Sequence, residues 1–280
     1  MSNENKTPKA LNDLENNSLF ISRERGLYLG AGFSTRFHAF HALKVCIGVD
    51  AEFGLRTDLT ASYERCRAAI IAPDRLHQLN GRATRLALLY LPQESAAAQQ
   101  FAETYLNHSI SVVPQNKVDA LFPVMKEYLK HGCGKEAASA LCNNLIHALA
   151  PSISLRRRFD WRVTRALEYV RAALDRRVSA EEIADVVRSS HSHLAHLFKA
   201  QTGIAIRHYR RWLRVCAAIE QMADINSLTD IAHATGFFDS SDLAHTFRQM
   251  LGIAPSTLSR RSRVFRDDIP AENYKQGSAR

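Results

Sequence analysis

The sequence predicts an α+β protein, with a small β-barrel and following helices in its N-terminal part and an all-α domain in its C-terminal part. Between residues 19 and 92, short apolar runs alternate with Gly, Pro, Asp and Asn, which favours a small antiparallel sandwich or barrel. After residue 93 the apolar residues recur at helical spacing, and one helical pattern occurs twice. The chain has 280 residues, 46% of them hydrophobic, which is enough for two domains with buried cores.

Four apolar or alternating runs predict the N-terminal strands, at residues 27–31, 43–49, 67–71 and 86–91. Three helices are predicted to follow, at 94–106, 117–130 and 135–149, and their apolar stripes could pack over the barrel or pair two chains. The expected organisation is a mobile N-terminus over 1–18, a barrel over 19–92, a helical segment over 93–150, a linker over 151–158, a second domain over 159–263 and a mobile tail over 264–280.

The second domain contains a duplicated motif. The segments LAHLFK at 194–199 and LAHTFR at 243–248 are each followed by a glycine, Gly203 or Gly252, at the same distance from the phenylalanine. The phenylalanine of each segment also follows the alanine of an Ile-Ala pair by fourteen or fifteen residues. This spacing predicts two helix-turn-helix units, in which the leucines and phenylalanines of each second helix face the core and a small, polar row faces outward.

Sequence signals at the helix ends support the same interpretation. Ser179 and Glu182 have the spacing of a capping box at the start of the first unit, and Ser190 and Asp239 stand where the second helix of each unit should begin. A single helix over 206–222 is predicted to connect the units and to fix the distance between them.

The two turns differ in sequence. Gly236 in the second unit suits a turn that requires a positive φ angle, whereas the first unit has Arg188 at the matching place. A side chain makes such a backbone conformation more costly, so the sequence predicts a positive φ angle for the second turn and leaves the geometry of the first turn open.

Residues 161–261 resemble the DNA-binding domain of the AraC/XylS family of bacterial transcription regulators. The likeness rests on the Ile-Ala pairs, the LAHLF and LAHTF cores, Gly203, the segment 209–214, and the closing Gly-Phe at 236–237 and Gly-Ile-Ala-Pro at 252–255. The resemblance implies a sequence-specific DNA-binding regulator whose partner is double-stranded DNA. Rigid tandem units of this kind contact two successive major-groove segments, roughly 10 base pairs apart.

By the same resemblance, base contacts come from the outward rows of the two second helices. In this sequence these residues are Ser192, Ala195, His196 and Lys199, followed by Ser240, Ser241, Ala244, His245 and Arg248. The alanines could meet thymine methyl groups, and Lys199 or Arg248 could contact guanine or a phosphate.

The charge distribution agrees with this expectation. Residues 155–263 contain eighteen Lys and Arg against eleven Asp and Glu, so most of the net charge of +9 lies in this region. Arg207 and Arg214, together with the arginines at 156–158, 210–211 and 260–261, could contact phosphates.

The N-terminal region resembles the cupin-like barrels that precede the DNA-binding domain in this family and bind a small-molecule effector. Residues 32–38, the strand around Leu43 and the turn at 70–77 carry this looser likeness. The candidate effector-binding residues are His38, His41, Cys46 and His77.

Catalytic cupins hold a metal on clustered imidazoles and a carboxylate, but they show an H-x-H pair followed by a glutamate. Here His38 and His41 are three residues apart and no suitably spaced glutamate follows. We therefore expect no metal, no cofactor and no enzyme activity. Two alternatives stay open at this point: an N-terminal domain that serves only for dimerisation or protein contact, and a metal-dependent cupin enzyme fused to a DNA-binding domain.

The remaining expectations concern the cell. The five cysteines lack paired spacing, which favours reduced, buried thiols. Neither a membrane-spanning run nor a signal-peptide core occurs, so a cytoplasmic location without membrane contact is expected. A homodimer and a contact with RNA polymerase follow from the family resemblance alone.

Overall fold

The computed structural model describes residues 17–22, 25–107, 109–150, 159–174, 176, 178–225, 227–259 and 262–266. The predicted α+β class is confirmed: a sheet-rich N-terminal region is followed by a helical C-terminal region. None of the helices in the described ranges is both long and apolar enough to cross a membrane. The predicted linker at 151–158 lies outside the described residues, as do the arginines at 156–158 and 260–261.

The described strands form two sheets, and all of them except β10 belong to the N-terminal region. A seven-stranded sheet has the order β10-β1-β2-β8-β3-β6-β9, and a three-stranded sheet has the order β5-β4-β7. The strands are β1 Asn17–Ile21, β2 Gly26–Ala31, β3 Leu43–Gly48, β4 Phe53–Arg56, β5 Glu64–Cys66, β6 Ala68–Ile71, β7 Gln78–Asn80, β8 Arg85–Leu91, β9 Ile110–Val112 and β10 Ser262–Arg266. All pairings are antiparallel except that of β1 with β10, which is parallel.

Three helices cover one face of the large sheet: α1 Ala96–Tyr105, α2 Phe122–His131 and α3 Lys135–Leu149. Their apolar stripes, with Phe101, Met125 and Leu141 fully buried, share a core with Leu29 and Val45 of the sheet. Packing over the sheet, one of the two arrangements that the sequence left open, is therefore present within a single chain. Helix α2 begins later than predicted because two short 3-10 turns, Gln115–Lys117 and Asp119–Leu121, precede it.

Among its described residues, the C-terminal region has seven helices: α4 Trp161–Ala172, α5 Ala180–Val186, α6 His191–Thr202, α7 Ile206–Gln221, α8 Leu228–Ala234, α9 Ser240–Leu251 and α10 Pro255–Ser259. Three predicted caps are confirmed, since the side chains of Ser179, Ser190 and Asp239 accept hydrogen bonds from backbone N–H groups in the first turn of α5, α6 and α9.

The second helix-turn-helix unit packs against the face of the large sheet opposite to α1–α3. Phe247 of α9 and Ile219 of α7 are buried in one core with Leu88 of β8 and Phe40. Trp212 of α7 meets the Phe40 ring edge-on, with 4.8 Å between the ring centroids. The two predicted domains therefore share a hydrophobic core, which the sequence analysis did not anticipate.

The last described segment also joins the two regions. Residues 262–266 form β10, with Val264 opposite Leu19 and Phe265 opposite Phe20 of β1. The predicted tail boundary at 264 is thus wrong, because this short segment completes the edge of the large sheet. The predicted boundary of the mobile N-terminus is late by a similar margin, since β1 begins at Asn17.

Candidate nucleic-acid interface

The first unit consists of α5 and α6 and has its own core. Ile183, Leu194 and Phe198 are buried together with Val163 of α4 and Tyr209 of α7. A polar contact joins this unit to the N-terminal region, where Arg171 of α4 donates hydrogen bonds to Glu94 (3.1 Å) and to the hydroxyl of Tyr209 (2.8 Å).

The turns of the two units have the same backbone form. Arg188 has a φ angle of +50° and Gly236 one of +76°. After these positions the backbone N–H groups of Ser189 and Phe237 donate to the carbonyl oxygens of Ala184 (3.0 Å) and Ala232 (2.9 Å). The first turn therefore adopts the same left-handed conformation as the second, although its residue is Arg188 and not glycine. A side chain in this conformation is strained.

The outward rows lie at the surface of α6 and α9. Their exposed members are Ser192, His196, Lys199, Ser241, His245 and Arg248, and their half-buried members are Ala195, Ser240 and Ala244. The first leucine and the phenylalanine of each repeat are fully buried on the other side of the helix, and Leu197 is half-buried. Each helix thus presents the row that the sequence predicts to contact bases, while contact with DNA stays a prediction.

The arginines of α7 have different surroundings. Arg207 is exposed near the start of the helix. Arg210 donates to the carbonyl oxygens of Val178 (2.6 Å) and Arg176 (3.1 Å), and burial lowers its pKa. Arg211 donates to Thr246 (3.2 Å) and Asp242 (3.3 Å) of α9. These two arginines hold the units to the connecting helix.

Arg214 lies at the turn of the second unit. A Cβ atom at Gly236 would come within 3.1 Å of its Nε atom, so the guanidinium lies directly against the turn backbone. The side chain is half-buried. This position suggests a part in shaping the turn in addition to the predicted phosphate contact.

A buried polar cluster lies beside the shared core, and it contains three of the four predicted effector residues. His38, His77 and Cys46 are 3%, 0% and 0% exposed, and the two imidazole ring centroids are 4.2 Å apart. The sequence did not single out the fourth member, Lys44, which is 2% exposed. Its ammonium lies 3.4 Å from Nε2 of His38 and 6.0 Å from the ring centroid of Tyr90.

The hydrogen bonds of the cluster fix the tautomers of its histidines. Nδ1 of His38 donates to the carbonyl oxygen of Arg36 (2.9 Å), and Nδ1 of His77 donates to that of Arg75 (2.7 Å). Each Nε2 is then an acceptor in the neutral ring. Nε2 of His77 is buried and has no hydrogen-bond partner among the described residues.

Burial controls the protonation of these groups. Desolvation and the charge of Lys44 lower the pKa of His38 to about 3 and that of His77 further still. Desolvation also lowers the pKa of Lys44 and raises that of Cys46 to about 11. The cluster therefore disfavours positive charge, and Lys44 has no ion-pair partner among the described residues.

His41, the remaining predicted effector residue, is separate from the cluster. It is 7% exposed, and its Nδ1 lies 3.1 Å from a carboxylate oxygen of Asp74. Within the described part of the chain, no three or more His, Cys, Asp or Glu side chains are grouped so that they could hold a metal ion.

The cluster touches the C-terminal end of α9. The N–H of Arg36 donates to the carbonyl oxygen of Gly252 (2.8 Å), and a Cβ at Gly252 would lie 2.5 Å from Nδ1 of His38. A lysine inside the apolar strand run 43–48 was the signal that could have pointed to this site, because a lysine is almost never fully buried unless paired.

Two capped helix-turn-helix units on one connecting helix define a tandem helix-turn-helix protein. Residues 183–261 match the family model of a helix-turn-helix domain. The chain is 42% identical over 65 residues, 23% of each chain, to the HTH-type transcriptional activator RhaR of Pectobacterium carotovorum subsp. carotovorum. It is 34% identical over 94 residues to RhaR of Klebsiella pneumoniae subsp. pneumoniae, covering 33% of this chain and 34% of that one. The chain thus spans at most about a third of these relatives, and the matches confirm the predicted resemblance for the C-terminal domain.

A solved structure resembles the chain over nearly its whole length. The apo form of a variant of ToxT from Vibrio cholerae superimposes with a TM-score of 0.58 over 88% of this chain and 99% of that chain, at 12% identity. Another ToxT structure, with bound unsaturated fatty acid, gives a TM-score of 0.53 over 88% of this chain and 97% of that chain, at 13% identity. At such identity the likeness shows the fold alone.

Proposed function

We propose that this chain is a sequence-specific, DNA-binding transcriptional regulator that contacts two successive major-groove segments. The observation that carries the proposal is the pair of outward rows on α6 and α9, each small, polar and basic and each opposite a buried leucine and phenylalanine. Connecting helix α7 is bonded to α9 through Arg211 and shares the core of the first unit through Tyr209, which favours a fixed separation of the two rows.

Footprinting of the full chain on genomic DNA fragments tests this proposal. The expected result is protection of two major-groove segments on one face of the duplex, centred roughly 10 base pairs apart. Affinity should fall about tenfold or more between about 50 and about 200 mM salt, because phosphate contacts release counterions. A folded chain that protects no DNA at low salt would contradict the proposal.

The second part of the proposal is that the regulator responds to a small molecule with an acidic group, bound at Lys44. A buried ammonium without a counter-ion is costly, and an anion at this place would remove that cost. The anion would also raise the pKa of His77, so that its unpaired Nε2 could become a donor. ToxT, whose fold is similar, has been solved with an unsaturated fatty acid, which is a ligand of this chemistry.

The site also explains how binding could change DNA contact. His38 of the cluster lies against Gly252, where α9 ends, so we infer that a ligand bound at Lys44 and His38 acts on the contact between the sheet and the second unit. Dimerisation and contact with RNA polymerase are further parts of the proposal; they are supported by the family resemblance and by the activator function named for RhaR.

Titration of the full chain with oleate, followed by intrinsic fluorescence or thermal shift, tests the acidic-ligand proposal. We expect Lys44→Met to weaken oleate binding by about thirtyfold or more, the effect of removing one partner of a buried charge pair. The exposed Lys126→Met is the matched control and should bind like the wild type. Oleyl alcohol, which lacks the charge, should bind weakly to all three; equal binding of oleate to Lys44→Met and wild type would contradict the assignment.

A further inference from the structure

The two turns differ by one residue. Ser189 and Phe237 are equivalent, because their N–H groups donate to the carbonyl oxygens of Ala184 and Ala232, the alanines of the Ile-Ala pairs. In the first unit the cap of α6, Ser190, follows directly. In the second unit one residue, Phe238, stands between Phe237 and the cap of α9, Asp239.

The extra residue is held firmly and yet exposed. The N–H of Phe238 donates to the carboxylate of Asp242 (3.3 Å), while the Asp239 carboxylate accepts from the N–H of Asp242 (2.7 Å). Asp242 is in turn bonded to Arg211 of α7 (3.3 Å). The Phe238 side chain is nevertheless 79% exposed, the highest value among the exposed large apolar residues of the described chain.

An aromatic ring that stays exposed to water forgoes the favourable free energy that its burial would supply, and here the backbone that carries the ring is held in place. Its place is immediately before the first turn of α9, on the same unit as the outward row at Ser241 and His245. In a helix-turn-helix unit, the N-terminal residues of the second helix are the ones that contact base edges. The apolar group that the major groove offers there is the C5-methyl of thymine.

We propose that Phe238 packs against a thymine methyl group in the second major-groove segment, and so makes the chain prefer thymine at one position that the first unit cannot specify. The inference rests on the proposed function. It predicts an asymmetry between the two half-sites, because Ser189 and Ser190 offer no apolar group at the corresponding point.

The contact is tested by combining a change in the protein with a change in the DNA and measuring the affinity of each combination. On a cognate site obtained by selection from random sequence, each thymine of the second half-site is replaced in turn by deoxyuridine, which lacks only the methyl group. Wild-type affinity should fall about three- to tenfold at the position that Phe238 contacts, as expected for loss of one buried methyl contact. Phe238→Ala should bind thymine and deoxyuridine equally at that position, while Leu59→Ala, a change of another exposed apolar residue, should keep the wild-type response. A methyl effect at a thymine that Ala244 contacts would be independent of Phe238.

The outcomes separate the two proposals. If the wild type protects no DNA, the proposed function and this contact both fail. If the wild type binds its site but no methyl removal weakens binding, or if every methyl effect persists unchanged in Phe238→Ala, the contact is overturned and the proposed function stands. Unchanged DNA preference in Phe238→Ala with loss of transcription activation would also overturn it, and would assign the ring to a protein partner.

Discussion

The two helix-turn-helix units have nearly the same local structure but opposite relations to the rest of the chain. The first has a core of its own and meets the N-terminal region through polar side chains: Arg171 is bonded to Glu94, and the end of the Gln93 side chain lies at Gly203. The second has no separate core, because Phe247 and Ile253 are buried against the large sheet. Polar contacts between domains are easily exchanged for water, whereas a shared apolar core is not. The difference predicts that the second unit is bound more tightly to the large sheet than the first.

The largest expected difference between the two units is in the loss of stability when the glycines that follow α6 and α9 are replaced. Both have left-handed backbones, with φ angles of +76° at Gly203 and +72° at Gly252. Gly203→Ala should lower the free energy of unfolding by about 1–2 kcal/mol, which is the cost of a left-handed backbone alone. Steric overlap adds little, because the new Cβ would meet only the end of the flexible Gln93 side chain. Alanine at Gly252 would also meet the buried His38 ring at 2.5 Å, which raises the expected cost to about 2–5 kcal/mol.

Urea unfolding of Gly203→Ala and Gly252→Ala measures this contrast. Equal losses of unfolding free energy in the two variants would show that the second unit is no more tightly bound to the sheet than the first.

The next effect is a pH dependence of the free energy of unfolding, which arises where the second unit contacts the large sheet. The pKa of His38 falls from 6.5 to about 3 on folding, so the folded chain binds fewer protons than the unfolded chain between these values. The stabilising contribution of His38 is therefore nearly complete at pH 7 and is lost as the pH falls, by about 2 kcal/mol between pH 7 and pH 5. His77, whose pKa is also lowered, acts in the same direction.

Urea unfolding at pH 7 and pH 5 checks this dependence. His38→Gln should show a smaller loss between the two values than the wild type, and the exposed His131→Gln should show the wild-type loss. An unchanged loss in His38→Gln would mean that this histidine does not link acid to the stability of the fold.

The smallest expected effect on stability comes from substitutions in the two turns. Gly236→Ala should destabilise the chain by about 1–2 kcal/mol, since it places a side chain in the left-handed region and against Arg214. Arg188→Gly should do the reverse and stabilise by about 0.5–1 kcal/mol, because relief of strain exceeds the entropy that glycine gains in the unfolded chain. Thermal unfolding of both variants is the check, and a stabilising Gly236→Ala would refute the view that the turns share one strained form.

The parts of this molecule that sequence could predict are those set by local rules. Helix caps such as Ser179 and Asp239 need only a few neighbouring residues, and the repeated LAHLF and LAHTF segments fix the faces of α6 and α9 by helical spacing. The shared core could not be predicted in this way, because Phe40 and Trp212 are distant in the chain and meet only in the fold.

The buried cluster was predicted in part. His38 and His77 were noticed as imidazoles, yet their position beside Lys44 depends on an isolated bridge between residues 38 and 77, which are separated in the chain by four strands and carry no periodic signal. Strand β10 was missed because five residues next to a charged segment are too short to show alternation. In both cases long-range pairing, and not local propensity, decides the structure.

The most direct test of the claim that both units contact bases is a comparison of His196→Ala with His245→Ala. Both histidines are exposed at the same place in their helices, four residues after Ser192 and Ser241. Selection of sites from random DNA should show that each variant loses preference at different base positions about one helical turn apart, at a cost of about 1–3 kcal/mol each on the cognate site. His131→Ala should select the wild-type site. Uniform weakening of both variants, with unchanged base preference, would contradict the account and assign these histidines to backbone contacts.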